Sequence, residues 1–158
     1  MAAPNTVFPP HKSSLGLDAN LVMLIAYLGG SLLAFIPIVK YVAFAVPIVI
    51  FFIEKSSPYV KFHSAQAIVL QVFNWIVSII SGILVGVFQG VLYSSSDLGA
   101  ITVASVLVMI FGLITTIVSI VILVFEIICL VKSWKYECYK LPVFGDLAEK
   151  LAAKFPIV

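Results

Sequence analysis

Apolar residues fall in long uninterrupted runs along this chain, and the polar breaks between them are short. Asp18-Ala19-Asn20 offers helix caps directly before the first run, Leu21 to Ile36. Sixteen residues in a helix rise about 24 Å, just short of a ~30 Å hydrocarbon core. Pro37 and Lys40 mark a turn, and a second run, Tyr41 to Ile53, contains Pro47. Together the two runs predict a helical hairpin, with Lys40 and Tyr41 suited to an interface at its tip; the alternative is a re-entrant loop. Either way the chain returns to the side from which it began. A polar turn with aromatic anchors, Glu54 to His63, leads to an apolar helix over about 62–93. Ser94 to Gly99 form a turn before another apolar helix, about 101–134. Each of these helices would be roughly 45 Å or longer, so it must tilt, kink at Gly or protrude.

The remainder, 136–158, has a different pattern. Pro142 breaks the helix, and Asp146 with Glu149 has the spacing of a capping box, with Asp146 as the cap. From about 147 to 155, Leu147, Ala148, Leu151 and Phe155 share one face, and Glu149, Lys150, Ala153 and Lys154 the other. Such a helix suits the membrane surface, or packs against the cytoplasmic end of a bundle. The expected fold is an all-α integral membrane protein: a tail over 1–20, four transmembrane helices within 21–135, and a C-terminal amphipathic surface helix.

Composition explains why lipid must be the solvent. Of 158 residues, 63% are hydrophobic and 10% charged, against roughly a half and a quarter in soluble domains. The length fits one domain. Residues 1–20 lack the pattern of a cleaved signal, so the first span is expected to remain. Lysine placement then sets orientation. With four spans, Lys12, Lys55, Lys61, Lys132, Lys135, Lys140, Lys150 and Lys154 share one side, and Lys40 alone lies opposite. That asymmetry predicts cytoplasmic N- and C-termini. The net charge is only +2 and Arg is absent, which argues against guanidinium clamps and nucleic-acid binding. Cys129 and Cys138, read as lying on opposite faces of one helix, are expected to be reduced thiols.

Polar side chains inside the runs mark the candidate chemistry, because lipid cannot satisfy them. Gln71, Asn74, Ser78, Ser81 and Gln89 cluster on one face of the third helix, and Ser105, Gly112, Thr115, Ser119 and Glu126 on one face of the fourth. Two such faces are expected to meet. Ser78, Gly82, Gly86 and Gly90 repeat every four residues, a spacing that lets helices approach closely, with Gly112 and the Ala26, Gly30, Ala34 series alike. Glu126 lies about 13 Å inside the Trp134–Lys135 interface, near the depth of Gln71 and Asn74. Glu126, Gln71, Asn74 and Ser119 form the candidate intramembrane polar site. It reads either as a proton- or cation-responsive path or as a structural acid fixing helix register. His63 reads as a cap or interface residue. Zinc-protease, phosphate-loop and nucleophile-turn motifs are absent from the sequence, so no enzyme, metal or cofactor is expected.

Three stretches carry a resemblance: Gly16 to Asn20 leading into Ala26-Tyr27-Leu28; Ile53-Glu54-Lys55 with Tyr59 to Gln66; and Tyr139 to Lys150. They resemble a family of small prokaryotic membrane proteins of unassigned function, often labelled similar to the channel component of the chloroplast inner-envelope import translocon. The most specific stretch is the cytoplasmic motif containing Lys61, Phe62, His63 and Gln66. The sequence departs from the family where Arg is usual before Phe-His, here Lys61, and where a Gly is usual near Glu137-Cys138. The resemblance implies a non-enzymatic component of a membrane assembly, with polypeptide translocation or insertion as its task. The polar faces support the alternative, a channel or carrier for ions or small solutes through Glu126. Expected partners are membrane lipids and either a homo-oligomer or a larger membrane complex.

Overall fold

The computed structural model describes residues 6–33 and 43–157. Among these, the chain is all-helical: α1 Ala19–Leu33, α2 Ala45–Ile53, α3 Pro58–Ser94, α4 Leu98–Trp134 and α5 Phe144–Lys154. Two of the five, α3 and α4, are long and apolar enough to cross a membrane. At 15 and nine residues, α1 and α2 rise roughly 22 and 14 Å, less than a ~30 Å hydrocarbon core. The tip of the expected first hairpin, with Lys40 and Tyr41, and the small-residue positions Gly30 and Ala34 lie outside the residues whose side chains are described.

Helix starts follow local capping chemistry, and they fall earlier than the apolar pattern suggests. Ser57 caps α3: its hydroxyl accepts the Val60 N–H at 3.2 Å, and its carbonyl accepts the Lys61 N–H at 3.0 Å. Pro58 is then the first helical residue, where a missing N–H costs nothing and a fixed φ helps. The expected turn up to His63 is therefore helix from Pro58 onward. Asp97 opens α4 in the same way, accepting the Gly99 N–H at 3.0 Å, so the helix begins at Leu98 rather than Ile101.

The end of α4 is set before Pro142 is reached. Tyr136 takes φ 58°, the Glu137 N–H reaches back to the Lys132 carbonyl at 3.1 Å, and the Tyr136 N–H to Ser133 at 3.0 Å. This is the helix stop usually built on Gly. Here Tyr136 holds it by packing, 6.0 Å from Tyr59 and 5.8 Å from His11, with its hydroxyl on Asn20. Cys138 is thus beyond the helix, not on the same helix as Cys129. A tight turn at Val143, φ 64°, closed by Phe144 N–H to Pro142 C=O at 2.7 Å, then launches α5. Asp146 is not its cap. The helix begins at Phe144, and the Asp146 carboxylate sits in the first turn, 2.6 Å from Lys140 Nζ.

The chain divides into two compact units, Met1–Gln71 with Val124–Val158, and Val72–Leu123. The first has a continuous core. Ala19, Val22, Met23 and Ala26 of α1, Ile50 and Phe51 of α2, and Tyr59, Val60 and Ala65 of α3 pack with Cys138 and Ala148. Gly29 permits close approach of α2, since a Cβ there would sit 2.9 Å from Val46 Cγ1. The α5 helix docks into this core through Gly145, Ala148, Leu151 and Ala152. Residues 6–18 run along the same core: Phe8 N–H donates to Tyr136 C=O, and Cys138 N–H to Thr6 C=O.

The second unit is the helical hairpin of α3 and α4. Phe88 stacks on Phe111 at 6.0 Å, and Ala104 and Ile122 are buried in the seam. Outward-facing Ile79, Ile80, Ile83, Val87, Val103, Met109, Leu113 and Ile117 are all at least half exposed. Asp97 is the only Asp, Glu, Lys or Arg in this unit. The most apolar window of each helix is just 6% buried. That surface is stable in lipid and not in water. From Val72 to Ser94, α3 rises roughly 34 Å, close to a membrane's thickness; its excess length is the Pro58–Gln71 stretch packed within the first unit.

Candidate functional site

The densest polar chemistry in the first unit is not at Glu126 but around the stretch Glu54 to Gln66. Glu54 follows directly on α2 and is fully buried. Its carboxylate accepts the Ser14 N–H and hydroxyl at 3.1 and 2.8 Å, the Ser56 N–H and hydroxyl at 2.9 Å each, and the Ser57 N–H at 2.8 Å. Burial pushes this carboxyl up, but the hydrogen bonds from Ser56, Ser14 and Ser57 outweigh it and hold the acid below its ordinary value. Ser57 ties in His11 as well, 2.6 Å from Nε2.

A second network lies one helical turn further along α3. His63 Nε2 is 3.1 Å from the Glu137 carbonyl, which can only accept, so Nε2 carries the proton. In the neutral ring Nδ1 then accepts from the Tyr27 hydroxyl, 3.0 Å away. Gln66 Nε2 faces Cys129 Sγ at 3.1 Å, the Tyr139 carbonyl at 3.2 Å and Tyr27 Oη at 3.5 Å; its Oε1 accepts the Leu141 N–H at 3.2 Å. The Tyr59 hydroxyl donates to the Ser133 carbonyl. So α3 satisfies the backbone of residues 133–141, which would otherwise be unpaired carbonyls and amides buried beyond a helix end.

His63 is therefore not a helix cap. The earlier start of α3 carries it inward, and it is fully buried. Lys61 is 7% exposed, with its ammonium 4.4 Å above the Phe51 ring. Phe62 packs in the core. Residues 140–149 carry ion pairs instead: Lys140 to Asp146 at 2.6 Å and to Glu149 at 2.7 Å. Hydrogen bonds to these two acids raise Lys140, and Lys140 in turn lowers Asp146.

The expected intramembrane set is placed differently. Glu126 is half-buried on α4 and engaged. Gln71 Oε1 and Asn74 Oδ1 are buried without a hydrogen-bond partner among the described residues. Ser119, Ser78, Gln89, Ser105 and Gly112 are exposed. The two polar faces do not close on each other as expected, because the hydroxyls need no second helix. Thr115 bonds the Phe111 carbonyl and Ser105 the Thr102 carbonyl, each at 2.8 Å. Gly82, Gly86, Gly90 and Gly112 have nothing within 4 Å of an added Cβ, so none marks a helix contact inside the single chain.

Sequence reasoning missed Tyr27, Ser14 and the Glu54 cradle as one unit. The signal was present in Glu54 followed by Ser56-Ser57, the spacing at which a side chain bonds the next amides. The partner across the chain was not signalled. Both cysteines are free and buried. Burial, and then the charge of Glu149, pushes the Cys138 thiol up to about 12. Among the described residues no three His, Cys, Asp or Glu side chains gather as a metal site. The geometry is that of a structural tie.

These features define a membrane protein with two candidate transmembrane helices and a hydrogen-bonded unit beside their ends in the sequence. The chain belongs to the magnetosome magnetite crystal formation protein family, whose profile matches residues 18–148. It is also 30% identical over 139 residues to a UPF0132 membrane protein of Methanocaldococcus jannaschii, covering 88% of this chain and 93% of that protein. No solved structure matches. The translocon label that came with the resemblance finds no support in these relatives. The family match begins at residue 18, so Ser14, which completes the Glu54 cradle, lies outside it.

Proposed function

We propose that this chain is a non-enzymatic component of a membrane assembly, contacting further copies of itself or other membrane proteins through α3 and α4. The observation that carries the reading is the exposure of both helices, 6% buried in their most apolar windows, with the Gly82, Gly86, Gly90 series of α3 and Gly112 of α4 facing open space. Lipid gives helices no hydrophobic reason to associate, so close packing at small residues is what holds them together. The family's description, magnetite crystal formation, favours an assembly that shapes what a membrane encloses over one that threads polypeptide. In this reading the termini are cytoplasmic, since all nine lysines lie in the first unit and none in the hairpin of the second.

The test is cysteine crosslinking in native membranes with Gly86→Cys in a background lacking Cys129 and Cys138. A crosslinked dimer, or one stoichiometric partner, is the expected result, weakened by Gly82→Leu. A chain that stays uncrosslinked and extracts as a monomer overturns it. A second reading, an ion or small-solute carrier using Glu126, is favoured by the unpartnered oxygens of Gln71 and Asn74. Flux in proteoliposomes holding the lone protein, abolished by Glu126→Ala, is its signature; no flux above empty vesicles rejects it.

A further inference from the structure

A groove of about 300 Å³ opens between the start of α3 and the outer side of α5, within the first unit, lined by Pro58, Lys61, Phe62, Glu149, Ala153 and Ile157 among others. Its volume is at the small end of ligand sites. The lining is apolar but for one cation and one acid, and the acid is already engaged: Glu149 Oε2 is 2.7 Å from Lys140. Lys61 is not. Its side chain is 7% exposed, yet among the described residues its ammonium makes no ion pair or hydrogen bond and rests only over the Phe51 ring at 4.4 Å. The closest acid in sequence, Glu54, is saturated by serine donors and acts on Lys61 through its charge alone, without contact. A nearly buried ammonium without an acceptor is costly unless something else supplies one.

We propose that this groove holds an anionic phospholipid, its phosphate on Lys61 Nζ and its upper acyl chain along Phe62, Ala153 and Ile157. Charge selects an anion, and the apolar lining selects one that carries hydrocarbon. Next to the lining residue Pro156 in sequence, Phe155 forms an aromatic cluster suited to acyl chains: it lies 5.9 Å from Phe51 and 5.4 Å from Phe52, and Phe52 and Phe155 are 55% and 43% exposed. For a membrane protein, lipid is the amphiphile always at hand. This site is separate from the α3–α4 faces invoked for assembly.

The test uses the purified full-length protein in mild detergent with phosphatidylglycerol or phosphatidylcholine of matched chains, bound lipid being counted by native mass spectrometry. Phosphatidylglycerol should be retained about fivefold over phosphatidylcholine, the ratio expected of one lysine at a membrane surface. Lys61→Met, which keeps a stem over Phe51, should bring the ratio to about one, and Lys61→Arg should preserve it. Ala153→Trp fills the groove from its exposed side and should lower retention of both lipids; it decides the matter if Lys61→Met does not fold. Equal retention of the two lipids by the unaltered protein, a preference that survives Lys61→Met, or undiminished retention in Ala153→Trp overturns the proposal. So does displacement of phosphatidylglycerol by an equal concentration of inorganic phosphate, which would assign Lys61 to a free anion.

Discussion

Glu54 shows what a single residue does in this molecule. Its carboxylate gathers Ser14, Ser56 and Ser57, so its removal strands the buried Ser57 N–H and the partly buried donors of Ser14 and Ser56 at once. Glu54→Ala is expected to cost about 3 kcal/mol, and Glu54→Gln less, since the amide oxygen still accepts. Chemical unfolding in detergent would measure both. The acid's lowered pKa fixes the sign of a pH effect. Its contribution is fully present above the pKa of an unfolded Glu and is lost as pH falls through the lower, folded value. Acidification below about pH 4.5 should therefore destabilise the wild type more than Glu54→Gln. Cys138 gives a second check. With its thiol raised to about 12 by burial and by Glu149, maleimide at pH 7.5 should leave Cys138 unmodified until the chain is denatured. Lys61, Phe62, His63 and Gln66 stood out in the sequence as a motif, but their partners lie up to 75 residues away. Nothing local could reveal that His63 reaches Tyr27 and the Glu137 carbonyl.

At the scale of elements, the apolar runs located both long helices to within a few residues. The misplaced boundaries share one cause. By the apolar pattern Ser57-Pro58 and Asp97 belong to turns between runs, whereas in the fold Ser57 and Asp97 are the caps that open helices. The launch of α5 was harder to read, because Val143 adopts a backbone conformation that sequence preference would assign to Gly. A β-branched residue at φ 64° stores strain, and its side chain is 70% exposed, so little packing holds it there. Val143→Gly should stabilise the docked C-terminal helix by about 1 kcal/mol, offset in part by chain entropy. Slower limited proteolysis between Lys140 and Lys150 would report it. Tyr136 has the same left-handed backbone and the opposite expectation, since its ring packs on Tyr59 and His11.

For the molecule as a whole, the medium decides what is stable. Side chains such as Ile83, 62% exposed, have no protein neighbour to hide them within the second unit. Ile83→Lys is expected to add about 3 kcal/mol to membrane insertion of α3, measurable as a loss of integrated product in microsomes. The same change on a water-facing surface would stay within about 0.5 kcal/mol.

The sequence by itself determined the solvent, the helical class and the rough extent of the two long helices, because those rest on composition and on hydrogen bonding along a single segment. It also marked the stretch from Glu54 to Gln66 as distinctive. Only the tertiary structure decided that this stretch ties α1, residues 6–18 and residues 133–141 together, that α5 packs into that core, and that the glycine series on α3 faces away from α4. The reason is physical. Hydrophobicity and capping act between neighbours in sequence, whereas a buried donor can be satisfied by any acceptor that folding brings within about 3 Å.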